Sequence, residues 1–274
     1  MDTFDLATPA DAERAALAIA RGAIVGHAFG NFYVITTRPD ADVVRGVNLM
    51  KGRPADQVGS VTTTRKLVPH LFDWSRLPEG LSRGDVNTLM DRLFGLGPFG
   101  FRGPAAAHIP DHLAAYDGDI RTTQVIAPGY MCPSNRILHR AMDRLGVDYL
   151  YITSANRSRH VTGAEDEPAH FTAAGLESEF GQEPKFVVVR HPDEVAARAV
   201  YPLHTPMSTT ILAFHRLGTP DHKGRPRLIV ERHGSMPVAV LAPIVAAYGF
   251  GLELGPKAKN RLALRVYDDL AVAA

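Results

Sequence analysis

Cysteine is nearly absent from this chain. Cys132 is the sole one among 274 residues, which excludes an intrachain disulfide framework and any CxxC metal or redox motif. Excess charge of either sign is missing too. Thirty Lys and Arg against 29 Asp and Glu leave a formal +1, so no global basic field exists to drive non-specific nucleic-acid binding. No apolar run reaches the roughly 20 residues that a membrane span needs; the nearest, Pro237 to Leu252, is interrupted by Pro243, Gly249 and Gly251 and reads as a buried helix. The first ten residues carry Asp2 and Asp5 and lack the basic stretch and apolar run of a secretory signal. Repeats, low-complexity tracts and long linkers are also lacking. These absences predict a soluble, cytoplasmic protein with no membrane contact, built as a single domain over 1–274.

What is present is ordinary globular material, 45% hydrophobic and 22% charged, in a chain long enough to bury about 75% of its surface. Ala10 to Arg21 has Ala and Leu at helical spacing, and Gly22 closes it. Asp40 to Met50 puts Val43, Val44, Val47 and Met50 on one helical face, and Ile137 to Leu145 repeats the pattern with Gly146 as its stop. Short β-rich runs at Ala23–Val25, Phe32–Thr36, Val58–Thr64, Tyr149–Thr153, Phe186–Arg190, Thr209–Phe214 and Arg227–Glu231 read as strands. Trp74 to Gly84 reads as irregular, and Pro237 to Tyr248 as a late helix. Strands and helices do not alternate strictly, which predicts an α/β or α+β domain with a mixed, twisted sheet.

Four stretches could carry chemistry. In Asn48-Leu49-Met50-Lys51-Gly52-Arg53-Pro54 a helix ends at a turn, so an ammonium and a guanidinium project from one rigid corner. That pairing suits polyphosphate or carboxylate oxygens; it equally suits a basic helix end complementing the macrodipole. In Tyr149 to Asn156, Ser154-Ala155-Asn156 follows a buried strand and offers a hydroxyl, an amide and backbone N–H groups where open sheets place ligands, or else is a plain turn. Pro206 to Leu212 is a hydroxyl cluster leading into a strand. Arg227 to Ser235 is a strand carrying Arg232, followed by His233-Gly234-Ser235.

In this order the four resemble the YrdC/YwlC family of threonylcarbamoyl-adenylate synthases, over a core of about 10–248 with 249–274 as a C-terminal extension. The resemblance implies a single YrdC-like domain, a twisted mixed sheet with helices around a deep, positively lined cavity. It implies an enzyme that makes a carbamoyl-adenylate from ATP, bicarbonate and L-threonine or a related amine, with Mg²⁺ carried on substrate oxygens and no dedicated metal site. Lys51 and Arg53 would then be the catalytic cations and grip the nucleotide together with Ser154, Asn156, Ser208 and Arg232. Asn31, Tyr33 and Thr62 would face the amino-acid substrate. The product would serve a modified adenosine in tRNA.

Several positions depart from the family pattern. Ala28-Phe29-Gly30-Asn31-Phe32-Tyr33-Val34-Ile35 stands where a Pro-Thr-Asp-Thr-x-Tyr-Gly-Leu run is usual, Val58-Gly59 replaces Pro-Leu, Ile126 replaces an arginine, and Arg159 replaces a glycine. The nucleotide side is therefore better kept than the amino-acid side, and the acceptor is left open. A non-catalytic YrdC-like module holding a nucleotide, tRNA or double-stranded RNA is the alternative, with Lys51, Arg53, Arg65, Lys66, Arg157 and Arg159 as a basic rim; transfer of a carbamoyl group to another acceptor is a third. Four lesser features read as structural. Gly95 to Gly100 matches GxGxxG without a preceding strand, His108, Asp111 and His112 lack a fourth metal ligand, Cys132 lacks a nucleophile's partners, and Glu165 to Glu167 reads as a solvated loop.

Overall fold

The computed structural model describes residues 3–158 and 168–267. Arg159 and the acidic run 165–167 lie outside them. Twelve strands form one mixed sheet among the described residues, ordered β1 (Thr3–Asp5), β9 (Phe186–Arg190), β2 (Ile24–Ala28), β3 (Tyr33–Thr37), β8 (Leu150–Ser154), β4 (Ser60–Thr62), β7 (Ile120–Ala127), β5 (Phe99–Pro104), β10 (Ile211–Gly218), β11 (Arg227–Arg232) and β12 (Gly251–Leu254), with β6 (Ala115–Asp117) paired to β7. β2–β3–β8–β4 is an antiparallel run, whereas β4–β7, β5–β10 and β11–β12 pair in parallel. All five residues of β3 and four of the five in β8 are buried, so these central strands read as continuous apolar or β-branched runs instead of alternating ones.

Among the described residues the α-helices are α1 (Pro9–Ala20), α2 (Ala41–Met50), α3 (Arg83–Leu96), α4 (Asn135–Leu145), α5 (Ala173–Phe180), α6 (Glu194–Ala199) and α7 (Val238–Ala247). α1 packs on α4, burying Ala12, Ala15, Ala16 and Ile19 of the one and Ile137, Leu138, Ala141 and Met142 of the other. Gly22 and Gly146 close them with positive φ of 84° and 65°, the left-handed turn that glycine enters without a Cβ penalty. None of the helices is long and apolar enough to cross a membrane among the described residues.

The sequence reading differs from the structure in a few places. The strand expected over Val58–Thr64 shrinks to three residues, because Gly59 packs against the Tyr151 ring and pairs instead with the carbonyl of His112. The irregular stretch after Trp74 ends sooner than expected. Ser82 accepts a hydrogen bond from the Asp85 N–H at 3.1 Å and starts α3, a cap followed by an amphipathic run. That helix explains the GxGxxG match, since Gly95 lies inside α3 and Phe99 opens β5. The order is helix then strand, the reverse of a dinucleotide fingerprint.

Candidate functional site: a cation-lined cavity on the sheet

The first chemistry-bearing corner is built by the end of α2. Gly52 takes φ +70°, its N–H bonds the Leu49 carbonyl at 2.9 Å, and the Arg53 N–H bonds the Asn48 carbonyl at 2.8 Å. These two bonds make a Schellman closure. It aims Lys51 and Arg53 at the end of β8. The Arg53 guanidinium donates to Thr153 Oγ1 at 2.8 Å. The Lys51 ammonium is fully buried and donates to the carbonyl oxygens of Ser154 and Asn156, while the Ser158 N–H returns a bond to the Lys51 carbonyl at 2.8 Å. The Ser-Ala-Asn turn is thus wrapped around a lysine. Burial, with Arg53 nearby, pulls the Lys51 pKa well below the usual lysine range; its nearby counter-charge is Glu179 on α5, which also holds His170 and the Arg157 N–H.

The second corner joins the other two stretches. Arg232 Nε donates to the Thr209 carbonyl at 2.7 Å and its Nη2 to Thr209 Oγ1 at 2.8 Å. The Ser235 N–H bonds the Ser208 carbonyl at 2.9 Å, and the Gly234 N–H bonds Thr210 Oγ1 at 3.2 Å. Only glycine fits at 234, where a Cβ would stand 2.2 Å from the Ser208 carbonyl oxygen.

Between the corners the sheet carries a cavity of about 320 Å³, in the range of small-molecule sites. Arg53, Arg102 and Arg232 line it, with Ser154, Gln124 and Thr122 among the neutral groups, and no carboxylate lines it among the described residues. Of the residues expected from sequence, this cavity gathers Arg53, Ser154 and Arg232. Lys51 and Asn156 sit behind the Ser154 turn. Ser208 is buried, its Oγ accepting from the Ala169 N–H at 3.3 Å. Thr62 is buried in β4, with no hydrogen-bond partner for Oγ1 among the described residues.

Asn31 and Tyr33 flank a separate small void instead. The Tyr33 hydroxyl donates to Glu194 Oε1 at 2.6 Å and accepts from the His191 N–H at 3.1 Å. Asn31 Nδ2 donates to the His204 carbonyl at 2.8 Å. The basic rim is altered too. Lys51 is buried, Arg65 pairs with Asp91, and Arg157 pairs with Glu183 and the Met50 carbonyl, so these cations do not form a row at the surface.

Arg102, Thr122 and Gln124 are among the polar lining residues that lie outside the four stretches. A signal existed: in Phe99-Gly100-Phe101-Arg102 the phenylalanines and the arginine fall on opposite faces of a strand. Ile126, where the family pattern has arginine, lines the same cavity one strand from Arg102. The features read as structural are engaged elsewhere. His112 bonds the Pro39 carbonyl at 2.7 Å, Asp111 pairs with Arg121 at 2.9 Å, and the Cys132 thiol accepts from the Gly30 N–H at 3.1 Å. Burial pushes that thiol's pKa up, away from a reactive thiolate.

The mixed α/β sheet with its flanking helices has the fold of Sua5/YrdC-like domains. P. abyssi Sua5 complexed with L-threonine superposes with a TM-score of 0.62 at 14% identity, over 90% of this chain and 60% of that one. A hypothetical protein, smu.1377c of Streptococcus mutans UA159, gives 0.62 at 12% over 89% and 94%, and E. coli YciO gives 0.53 at 12% over 77% and 87%. The chain thus spans about 60% of the Sua5 length it matches. No family model and no curated protein matches the sequence.

Proposed function

We propose that the cavity binds ATP and makes a carbamoyl-adenylate from it, with bicarbonate and an amino acid or related small amine. The observation that carries this reading is the lining, where the guanidiniums of Arg53, Arg102 and Arg232 converge on one cavity. Such a site takes a polyanion. In the reaction the amine nitrogen adds to bicarbonate with loss of water, giving a carbamate. A carbamate oxygen then attacks the α-phosphorus; the new P–O bond forms as the bond to pyrophosphate breaks, and the electron pair leaves with pyrophosphate. Guanidiniums already fixed in place stabilise the charge on the phosphoryl and leaving oxygens without reorganising. Mg²⁺ would enter on the phosphates, since no carboxylate lines the cavity among the described residues.

The acceptor is the less constrained part of the reading. With the Tyr33 hydroxyl committed to Glu194 and Asn31 Nδ2 to the His204 carbonyl, strict selection of the L-threonine hydroxyl has little support. The test is pyrophosphate release from ATP, Mg²⁺ and bicarbonate across a panel of amino acids and small amines, with mass spectrometry for the adenylate. Release with at least one amine is expected, and its loss in Arg53→Met. Silence across the panel with ATP still bound would favour a non-catalytic nucleotide-binding module; absence of ATP binding would defeat the reading.

A further inference from the structure

Arg102 belongs to none of the four sequence stretches, yet its guanidinium faces the cavity from β5. Two of its three nitrogens are pinned. Nε donates to Thr122 Oγ1 at 3.0 Å, and Nη1 reaches both carboxylate oxygens of Glu231 at 3.3 Å. Thr122 gives its own proton to the Ala115 carbonyl at 2.8 Å, so its oxygen is available as an acceptor for Arg102. Nη2 has no protein partner among the described residues.

Behind these contacts lies a second layer of charges. Glu231 also approaches Arg216 at 3.7 Å, and Asp117 takes Arg216 Nε at 3.0 Å and Nε2 of the buried His215 at 2.7 Å. Asp117, His215 and Glu231 place three potential ligand atoms within 4.8 Å of one another, a spacing that suits a divalent cation. Arg102 and Arg216 already occupy those carboxylates, however, and a dication there would meet two fixed guanidiniums. The cluster acts as a bracket for Arg102.

The geometry points to Arg102 as a third anion-holding residue, which meets the terminal phosphates of a polyphosphate chain whose other end lies toward Arg53 and Ser154. The inference rests on the nucleotide reading above. The strand order puts β5 three places from β8, roughly 14 Å at the usual strand spacing. A triphosphate met from both sides by long arginine side chains spans that interval. A guanidinium already held at Nε and Nη1 loses little entropy when Nη2 binds. The apolar wall of Ile126 and Leu113 strengthens the attraction by lowering the local dielectric.

Isothermal titration of the full chain with ATP, inorganic tripolyphosphate and AMP tests the assignment, in wild type, Arg102→Met, Arg53→Met and the double variant Arg102→Met/Glu231→Gln. The double variant removes both members of the pair, so no carboxylate is left without its cation. Both Arg102 variants should bind ATP and tripolyphosphate about 10–100-fold more weakly, the loss of one or two charge-assisted hydrogen bonds, with AMP unaffected. Wild-type affinity for ATP in both variants, alongside a loss in Arg53→Met, would overturn the role of Arg102 and leave the nucleotide reading standing. An equal loss for AMP would also overturn it, since the effect would not belong to the terminal phosphates. Failure of the wild type to bind either polyphosphate would overturn both.

Discussion

Replacing Lys51 by methionine keeps the length of the buried stem and removes the ammonium from beneath the Ser154–Asn156 turn. Two carbonyl oxygens lose their donor. An unsatisfied buried carbonyl costs about 1–3 kcal/mol, and the removal of a desolvated charge offsets part of the sum. The expected net loss is about 3 kcal/mol, which for a domain of this size lowers Tm by roughly 6–12 °C. A second signature separates this from loss of packing. Burial, with Arg53 nearby, holds the Lys51 pKa well below its ordinary value of 10.5. Between the two values the unfolded chain carries a proton that the folded chain does not, so wild-type stability rises with pH across that window and is lost as pH falls through the folded value. Lys51→Met has no such dependence. Urea unfolding of both proteins at several pH values between 7 and 10 should therefore show a gap that widens as pH rises. A Tm within about 1 °C of wild type, or a gap constant with pH, refutes the account of Lys51 as a buried donor whose pKa burial lowers.

Two further perturbations test the scaffold. His27 is buried with Nδ1 against the Ala28 carbonyl at 3.0 Å and Nε2 against Thr36 Oγ1 at 2.8 Å, and burial lowers its pKa to about 4 from 6.5. Stability should thus fall as pH drops from about 6.5 to about 4, by up to roughly 3 kcal/mol for this residue; denaturant titrations at pH 7, 5.5 and 4.5 read the slope, which His27→Asn should flatten. Gly234→Ala and Gly46→Ala should move stability in opposite directions. At 234 the added methyl meets the Ser208 and Thr209 backbone and should cost about 3 kcal/mol or more while parting Arg232 from Thr209. At 46, inside α2, nothing lies within 4 Å, and thermal melts should show a gain of about 0.8–1 kcal/mol.

Much of the scaffold was legible because it depends on local rules. The amphipathic spacing of Ile137 to Leu145 and the glycine after it yield α4 and its left-handed stop. The run Phe186–Arg190 is β9 to the residue. Lys-Gly-Arg-Pro after an amphipathic helix encodes the closure that aims Lys51 and Arg53, and the order of the four stretches was enough to anticipate the fold. Tertiary structure decided what local rules leave open. The helix α3 was hidden by Gly84 and the punctuated segment before it, and its cap becomes visible only once Ser82 meets the Asp85 N–H. Whether Lys51 faces a cavity or props a turn depends on carbonyls more than 100 residues away. Arg102 joins the lining because β5 pairs with β7 and β10, and Tyr33 is drawn from it by Glu194, 161 residues further along the chain. Residue type and spacing determine which chemical groups a segment carries and the turn that presents them; long-range strand pairing and the hydrogen-bond partners it supplies determine where those groups point.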